Sequence, residues 1–418
     1  MQKNVIQFLK LMNYSIHSEC EKENIEVSQQ ELDDIFVWAN RAKLAPVMCN
    51  TVLEVLDMNQ EMKEVWKRLS MKSLITQCGN YASLRTILKE GEQRKVKFVV
   101  FKGCVLADLY PQYTLRYSCD SDIFVYERDK QEAVKILEDL GYRIIEDHTN
   151  PKVYVFYHEG NKHCVELHFC LWEDYDGPQM KVLESLQLDA EEKLIELDVC
   201  GGMHITTLGH EEHLIYQMFH MIKHFVLQGI SIRYISDITL FINAYGCEVD
   251  WDSFWNKIEK LGYDGFVKGV FTLGIRYLGL DDECMRNKEQ PDEKVLENLL
   301  MDFINKGEIK GERVANWQIL GIMTPYLQGE SEVEDTRWKR NLKVMFPKRK
   351  DLTDDYLYAK KFAFLLPVAW VHRAAKFWLK RIRCGKEWYS MEEKLDLVEH
   401  RLMLLKELEL VKEHKHNK

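Results

Sequence analysis

Two carboxylates, Asp120 and Asp122, stand two residues apart where an apolar run from Ile123 to Val125 begins, and the composition of that run predicts a strand. Side chains at positions i and i+2 of a strand lie on the same face. Two carboxylates held this close raise each other's pKa, and a bound divalent cation relieves their repulsion. Because hard oxygen ligands suit magnesium or manganese, the pair predicts a site for Mg²⁺ or Mn²⁺.

A candidate phosphate-binding turn lies just upstream. The β-branched and aromatic run from Val96 to Phe101 predicts a strand that leads into Lys102 and Gly103. Gly103 permits a tight turn or a close approach of the backbone to a ligand, and the helical pattern that follows would point its N-terminal amides at an anion. Lys102 and Arg116 would add positive charge for phosphate. The stretch therefore predicts a combined phosphate and metal site.

Three motifs in this part of the chain resemble those of a known family. The runs FKGCVLADLY, LRYSCDSDIFV and VELHF are similar to the uncharacterised nucleotidyltransferases of the DNA polymerase β-like superfamily. In that family a Lys-Gly pair follows the first strand, an Arg precedes Asp-x-Asp, and a later strand carries an acidic residue and a His two apart. The similarity extends into SIRYISDI. The resemblance implies transfer of a nucleoside monophosphate from an NTP to an acceptor, which the sequence leaves unidentified.

Such a reaction needs a third carboxylate on a neighbouring strand, and Glu166 is the candidate. With Asp120 and Asp122 it would form the catalytic and metal-ligating set, and it would help to activate the attacking hydroxyl. His168, two residues further along the same predicted strand, is expected to orient Glu166 or to contact phosphate. The alternative for both residues is a solvated strand face.

The predicted nucleotide- and phosphate-binding set extends beyond these strands. Arg233 and Asp237 are i, i+4 neighbours on a predicted helix, where Arg233 would bind phosphate and Asp237 would hold its rotamer; the alternative is a surface pair. The full set is Lys102, Gly103, Cys104, Arg116, His168, Arg233 and Asp237.

Cys104 departs from the family pattern, because catalytic members of the wider superfamily usually have Ser at this position, where the hydroxyl helps to hold the triphosphate. A thiol is a much poorer hydrogen-bond donor than a hydroxyl. The sequence therefore keeps open a second hypothesis: a nucleotide-binding or scaffold protein with the same fold and weak or no turnover.

Composition sets broader limits. The 418 residues carry 57 basic and 67 acidic side chains, a net charge of −10, so no bulk electrostatic footprint for nucleic acid is present. The 11 cysteines include no C-x-x-C pair, which favours reduced thiols, and no apolar run approaches the ~20 residues that span a bilayer. These features predict a cytoplasmic protein.

The hydrophobic periodicity predicts an α+β fold in four parts. Residues 1–95 form a helical lead-in, residues 96–205 an α/β core, residues 206–345 a helical domain, and residues 346–418 a C-terminal helical segment. The resemblance implies that the α/β core is nucleotidyltransferase-like. The core is expected to hold a small mixed sheet of about four or five strands within residues 96–170. The helical region that follows it is expected to be larger.

Two further patterns lie outside this set. His213, His220 and His224 fall along one stripe of a predicted helix, but the run HEEH at 210–213 is not the H-E-x-x-H zinc motif, so histidines bordering the cleft are expected. Six basic and no acidic residues lie in residues 373–386, interleaved with apolar ones. This stretch either packs on the helical domain or contacts a partner or an anionic membrane surface, which co-sedimentation of the full chain with lipid vesicles would test.

Overall fold

The computed structural model of the protein describes residues 2–17, 21–146, 152–172, 179–227, 229–305, 346, 349, 352, 356–384 and 401–410. The chain divides into two compact units. The first comprises Met1–Lys223 and Ile230–Lys306, and the second comprises His224–Gly229 and Gly307–Lys418. The division into four domains remains a prediction.

The first unit contains one mixed sheet of seven strands, in the spatial order β3-β4-β5-β2-β1-β7-β6. The pairs β2/β5 and β1/β7 are parallel, and the other neighbouring pairs are antiparallel. In chain order the strands are β1 (Val99–Phe101), β2 (Asp120–Phe124), β3 (Arg143–Glu146), β4 (Val153–His158), β5 (His163–His168), β6 (Leu194–Val199) and β7 (Met203–Leu208).

Helices precede, interrupt and follow the sheet. In the first unit they are α1 (Lys3–Ile16), α2 (Gln29–Arg41), α3 (Ala45–Val55), α4 (Gln60–Gln93), α5 (Gly103–Asp108), α6 (Lys130–Asp139), α7 (Met180–Ser185), α9 (Arg233–Tyr245), α10 (Trp251–Leu261), α11 (Asp264–Leu278) and α12 (Glu293–Asn305). Helix α8 (His210–Leu227) begins in the first unit, and α13 (Leu357–Lys361) and α14 (Leu366–Cys384) belong to the second. Among the described residues, no helix is both long and apolar enough to cross a membrane.

Local sequence signals explain several helix boundaries. Ser28 and Glu31 form a capping box at the start of α2, and each side chain accepts a hydrogen bond from the other residue's backbone N–H. Pro46 lies in the first turn of α3, where a missing N–H costs no helical hydrogen bond. After α6 the chain turns at Gly141, whose φ of 88° favours glycine.

The α+β prediction is confirmed, and the sheet is larger than predicted. The five strands expected within residues 96–170 are present, but β6 and β7 were not anticipated. They form a hairpin through Gly201 and Gly202, with φ of 76° and 77°. A Gly-Gly pair between two β-branched and apolar runs is a hairpin signal, and it was available in the sequence.

The centre of the sheet is formed by β5, β2 and β1, and these strands carry the predicted site. The apolar residues of these strands, on both faces of the sheet, are at most 2% exposed: Val99, Phe101, Ile123, Phe124, Val165 and Leu167. On the face that carries Phe101 and Asp122, helix α8 lies over the sheet, and the ring centroids of Phe101 and Tyr216 are 5.1 Å apart. The site is therefore enclosed between the sheet and α8.

Candidate functional site

The strand register brings two of the predicted carboxylates together. Strand β2 runs parallel to β5, and the Cα atoms of Asp122 and Glu166 are direct partners. Because side chains directly opposite on neighbouring strands share a face, both carboxylates project to the same side of the sheet. Ligand atoms of Asp122, Glu166 and His168 lie within 4.8 Å of one another, and they form the only such cluster of three among the described residues.

Asp120 stands at the start of β2 on the same face as Asp122, as the i, i+2 spacing predicts. It does not belong to the 4.8 Å cluster of the described residues, where His168 takes the third place. Burial and the negative charges of Asp122 and Glu166 raise the pKa of Asp120 to about 7. The carboxylates of the site therefore repel one another, and a bound cation would relieve that repulsion. Metal ligation by Asp120 stays a prediction.

His168 lies between the two carboxylates. Its Nε2 atom is 3.3 Å from Oδ1 of Asp122 and 3.6 Å from Oε2 of Glu166, and the side chain is fully buried. Its Nδ1 atom has no hydrogen-bond partner among the described residues. A proton on Nε2 is therefore the less costly tautomer, because a buried N–H at Nδ1 would be unsatisfied. In this tautomer His168 can orient both carboxylates as a hydrogen-bond donor.

Lys102 points its ammonium group into the same cluster. The Nζ atom donates to Oδ1 of Asp122 at 2.7 Å, and the two side chains are only 12% and 6% exposed. The rings of Phe101 and Tyr216 lie 5.3 and 5.4 Å from Nζ. Burial alone would lower the pKa of Lys102, but Asp122 holds it well above the ordinary value. Burial alone would raise the pKa of Asp122, but the interactions with Lys102 and His168 have the larger effect and keep this pKa below its usual range.

The backbone of Lys102 is strained. Its φ of 56° and ψ of −106° fall in a region dominated by glycine, as at the first central residue of a type II′ turn. A residue with a side chain held there costs about 1–3 kcal/mol, so surrounding contacts must maintain the conformation. At the next position, a Cβ on Gly103 would approach Oγ of Ser118 to 3.0 Å. The Lys-Gly pair thus forms a tight turn between β1 and α5, as predicted.

The guanidinium group of Arg116 is buried and paired with other groups of the protein. Its Nε and Nη2 atoms donate to the two carboxylate oxygens of Asp237 at 2.8 and 2.9 Å, and Nη1 donates to the Gly103 carbonyl at 3.1 Å. Tyr110 Oη also donates to Asp237 Oδ1. Arg116 is 4% exposed and Asp237 2%. The contacts of Arg116 in this structure are therefore structural, and binding of phosphate by Arg116 stays a prediction.

These contacts correct the predicted pairing of Arg233 with Asp237. The carboxylate of Asp237 is fully used by Arg116 and Tyr110, whereas Nη1 of Arg233 donates to the carbonyl of Tyr117. The i, i+4 spacing made the helical pair plausible, but Asp237 faces the interior, where the bidentate geometry of Arg116 satisfies it better. The Nε of Arg233 is buried and has no hydrogen-bond partner among the described residues, so phosphate binding there stays a prediction.

Cys104 lies in the first turn of α5 and is 5% exposed. Burial raises the pKa of its thiol well above the ordinary value, so the group stays neutral. Its backbone carbonyl accepts a hydrogen bond from the thiol of Cys200 at 3.3 Å. A buried neutral thiol is a weak partner for a triphosphate, which is the physical basis of the low-turnover hypothesis.

The residue that the sequence analysis did not assign to the site is His213. Its Nε2 atom accepts the backbone N–H of Lys102 at 3.1 Å, across 111 positions of the chain. The sequence showed a histidine on a helix, but no local pattern could pair it with the turn after β1.

The basic stretch 373–386 is only partly covered by the described residues. Helix α14 continues to Cys384, and its side chains are described as far as Lys376. Ala369 packs into a small core with Leu352, Tyr356 and Ala359, whereas Val368 and Val371 are 53% and 70% exposed. The hypothesis of a partner or membrane contact through this stretch stays a prediction.

Comparison with solved structures gives distant likenesses. The crystal structure of ANT(2")-Ia in complex with adenylyl-2"-tobramycin has 14% identity and a TM-score of 0.32, and the match covers 43% of this chain and 95% of that one. The solution structure of ANT(2")-Ia has 16% identity and a TM-score of 0.30, with 49% and 96% covered. No curated protein matches.

The family comparison covers the whole site. The matching family model is described as an uncharacterised nucleotidyltransferase, and it spans residues 28–279, more than half of the chain. This span includes the sheet, the Lys102 turn, the carboxylate and histidine cluster, and the Arg116–Asp237 pair. The chain belongs to this uncharacterised nucleotidyltransferase family.

Proposed function

We propose that the protein transfers a nucleoside monophosphate from an NTP to an acceptor in a metal-dependent reaction that releases pyrophosphate. The observation that carries the proposal is the register of β2 and β5, which sets Asp122 beside Glu166 on one face of the sheet. Lys102 donates to Asp122, and His168 lies between the two carboxylates. Core packing alone does not favour two facing carboxylates, a buried ammonium group and an imidazole at one point. Each of these groups must be desolvated, which costs free energy.

The residues present fit a divalent cation. Asp122 and Glu166 supply hard oxygen ligands. The pKa of Asp120 is raised first by burial and then by the negative charges of Asp122 and Glu166, which such an ion would offset. Bound there, Mg²⁺ or Mn²⁺ would stabilise the negative charge that builds up on the reacting phosphates. Glu166 takes the proton of the acceptor hydroxyl as the new O–P bond forms at the α-phosphorus and the bond to pyrophosphate breaks. His168 keeps the carboxylates oriented.

Positive charge for the phosphates comes from the chain itself. Lys102 lies at the cluster, and Arg233 holds the segment before Asp120 through the carbonyl of Tyr117 while its Nε remains unpartnered among the described residues. Both cations would neutralise phosphate oxygens near the attacked phosphorus. The acceptor is not assigned.

The second candidate is a nucleotide-binding protein with little turnover. Two observations favour it: Cys104 is a buried neutral thiol where a hydroxyl would serve, and the guanidinium of Arg116 is occupied by Asp237. In this case nucleotide and cation bind without release of pyrophosphate.

Calorimetric titration with a panel of NTPs and Mn²⁺, together with a pyrophosphate-release assay in which sugars, nucleic acids, proteins and small-molecule alcohols are each offered as the acceptor, separates the candidates. We expect cation-dependent binding of at least one NTP and pyrophosphate release, both lost in Asp122→Asn. The matched control is Asp198→Asn, which changes a carboxylate that is 74% exposed on β6. Binding without pyrophosphate supports the second candidate, and absence of NTP binding in the wild type contradicts both.

A further inference from the structure

The turn at Lys102 is held from two sides, by His213, which lies 111 positions later in the chain, and by Arg116, which lies 13 positions after Gly103. On one side the backbone N–H of Lys102 donates to Nε2 of His213, and on the other the carbonyl of Gly103 accepts from Arg116. Arg116 is in turn fixed by Asp237 of α9. A turn with φ of 56° at a lysine needs such contacts, because nothing in its own sequence favours that conformation.

His213 is suited to accept this hydrogen bond. The side chain is 1% exposed, and its ring meets the ring of Phe241 edge to face at a centroid distance of 5.3 Å. Burial lowers the pKa of the imidazole to about 3, so the ring is neutral at physiological pH. A neutral imidazole with its proton on Nδ1 leaves the Nε2 lone pair for the Lys102 N–H.

The neighbouring histidines do not share this role. His210, three residues earlier, stacks on Tyr245 at a centroid distance of 4.1 Å, and its Nε2 lies 3.1 Å from Glu248. The only cluster of potential metal ligands among the described residues is the one that contains His168, so His213 has no metal partners there. The hydrogen bond to Lys102 is therefore the distinctive contact of His213.

We infer that His213 is a positioning residue, which holds the Lys102 turn so that the ammonium group of Lys102 reaches the Asp122 carboxylate. The effect of His213 on catalysis rests on the proposed function, whereas its effect on the position of the Lys102 turn does not. Without the acceptor at Nε2, the strained backbone of Lys102 relaxes, and the ammonium group moves away from the position 2.7 Å from Asp122. His213 thus acts through Lys102 and does not touch the reacting atoms.

The mechanical claim is tested by thermal unfolding of the full chain with matched pairs of variants. His213→Phe keeps an aromatic ring but removes the acceptor. Lys102→Ala and Lys102→Gly both remove the ion pair with Asp122, but only glycine adopts the turn conformation without strain. We expect His213→Phe to lower the unfolding temperature in all three backgrounds, and to lower it clearly more in the Lys102→Gly background, because no backbone strain is released there when the hydrogen bond is lost.

Equal losses of unfolding temperature in all three backgrounds would mean that His213 only packs, and the inference would be wrong. If His213→Phe does not fold, folding of His213→Gln, whose amide oxygen can still accept the Lys102 N–H, supports the inference, and failure of His213→Gln to fold contradicts it. The cycle needs no substrate, so its outcome is independent of whether the protein transfers nucleotides.

The catalytic consequence is tested by rescue. A side-chain amide oxygen in His213→Gln can still accept the Lys102 N–H, whereas His213→Phe cannot. Because a displacement of about 1 Å at a reacting centre can cost ~10²-fold, we expect pyrophosphate release to fall about 10–100-fold in His213→Phe and to stay within a few-fold of wild type in His213→Gln. Equal rates in the two variants would overturn the positioning role. Absence of release from the wild type would instead count against the proposed function.

Discussion

Asp237 binds Arg116 through both carboxylate oxygens, and the two residues lie 121 positions apart in the chain. The pair is enclosed, since neither side chain is more than 5% exposed. Through the third contact of Arg116, to the carbonyl of Gly103, the helix that carries Asp237 is connected to the turn beside the carboxylate cluster. Through Asp237, helix α9 therefore supports the turn beside the carboxylate cluster.

This buried pair predicts a large effect of Asp237→Ala on stability. The substitution leaves the guanidinium of Arg116 desolvated and without its anion, for which we expect a loss of about 3–5 kcal/mol in the free energy of unfolding. The control is Glu293→Gln, which removes the partner of Arg276 from a pair whose glutamate is 73% exposed. We expect less than about 1 kcal/mol there. Denaturant titration of both variants measures the difference, and similar losses would show that Asp237 is not a structural anion.

Glu166→Gln tests the assignment of the general base. The amide keeps the shape of the side chain and its place beside Asp122, but it cannot take a proton. We expect pyrophosphate release to fall by ~10²–10⁴-fold, while the affinity for the NTP stays within a few-fold. Glu196→Gln changes an exposed glutamate of β6 and is expected to be neutral. Turnover at the wild-type rate in Glu166→Gln would remove Glu166 from the mechanism.

His163 predicts a specific pH dependence of stability. This fully buried histidine on β5 contacts Oη of Tyr142 at 2.7 Å and Oγ of Ser121 at 3.0 Å, on the opposite face of the sheet from the carboxylates. Burial, with a smaller contribution from His158, lowers its pKa to about 4. Because the unfolded chain titrates near 6.5, it binds more protons than the folded chain between pH 6.5 and pH 4.

Stability from this group is therefore complete above pH 6.5 and is lost as the pH falls, by up to about 3 kcal/mol near pH 4. In His163→Gln we expect a shallower decline over the same interval, measured by denaturant titration at pH 7.5, 6.5, 5.5 and 4.5. His372→Gln, at an exposed site, should retain the wild-type slope. A slope in His163→Gln as steep as that of wild type would contradict the assignment.

Local patterns in the sequence determined the direction in which the site residues point. Alternation along β2 and β5 predicted that Asp120 and Asp122 share one face and that Glu166 and His168 share one face, and the structure has them so. The capping box at Ser28 and the helix from Trp251 to Leu261 also follow from residues within a few positions of each other. Such features depend on backbone period and on short-range hydrogen bonds, which a single sequence displays.

Only the tertiary structure decided which distant groups meet. Strand β2 pairs with β5 and not with β3, which follows it in the chain, and this choice sets Asp122 beside Glu166. Asp237 binds Arg116 and not its helical neighbour Arg233, and His213 meets the backbone of Lys102. The Asp237–Arg116 pair satisfies a buried charge and the His213–Lys102 contact satisfies a buried N–H, and the cost of leaving either group unpaired arises only when the whole chain excludes water. That cost is absent from any local stretch of sequence, so spacing alone could not predict the partners.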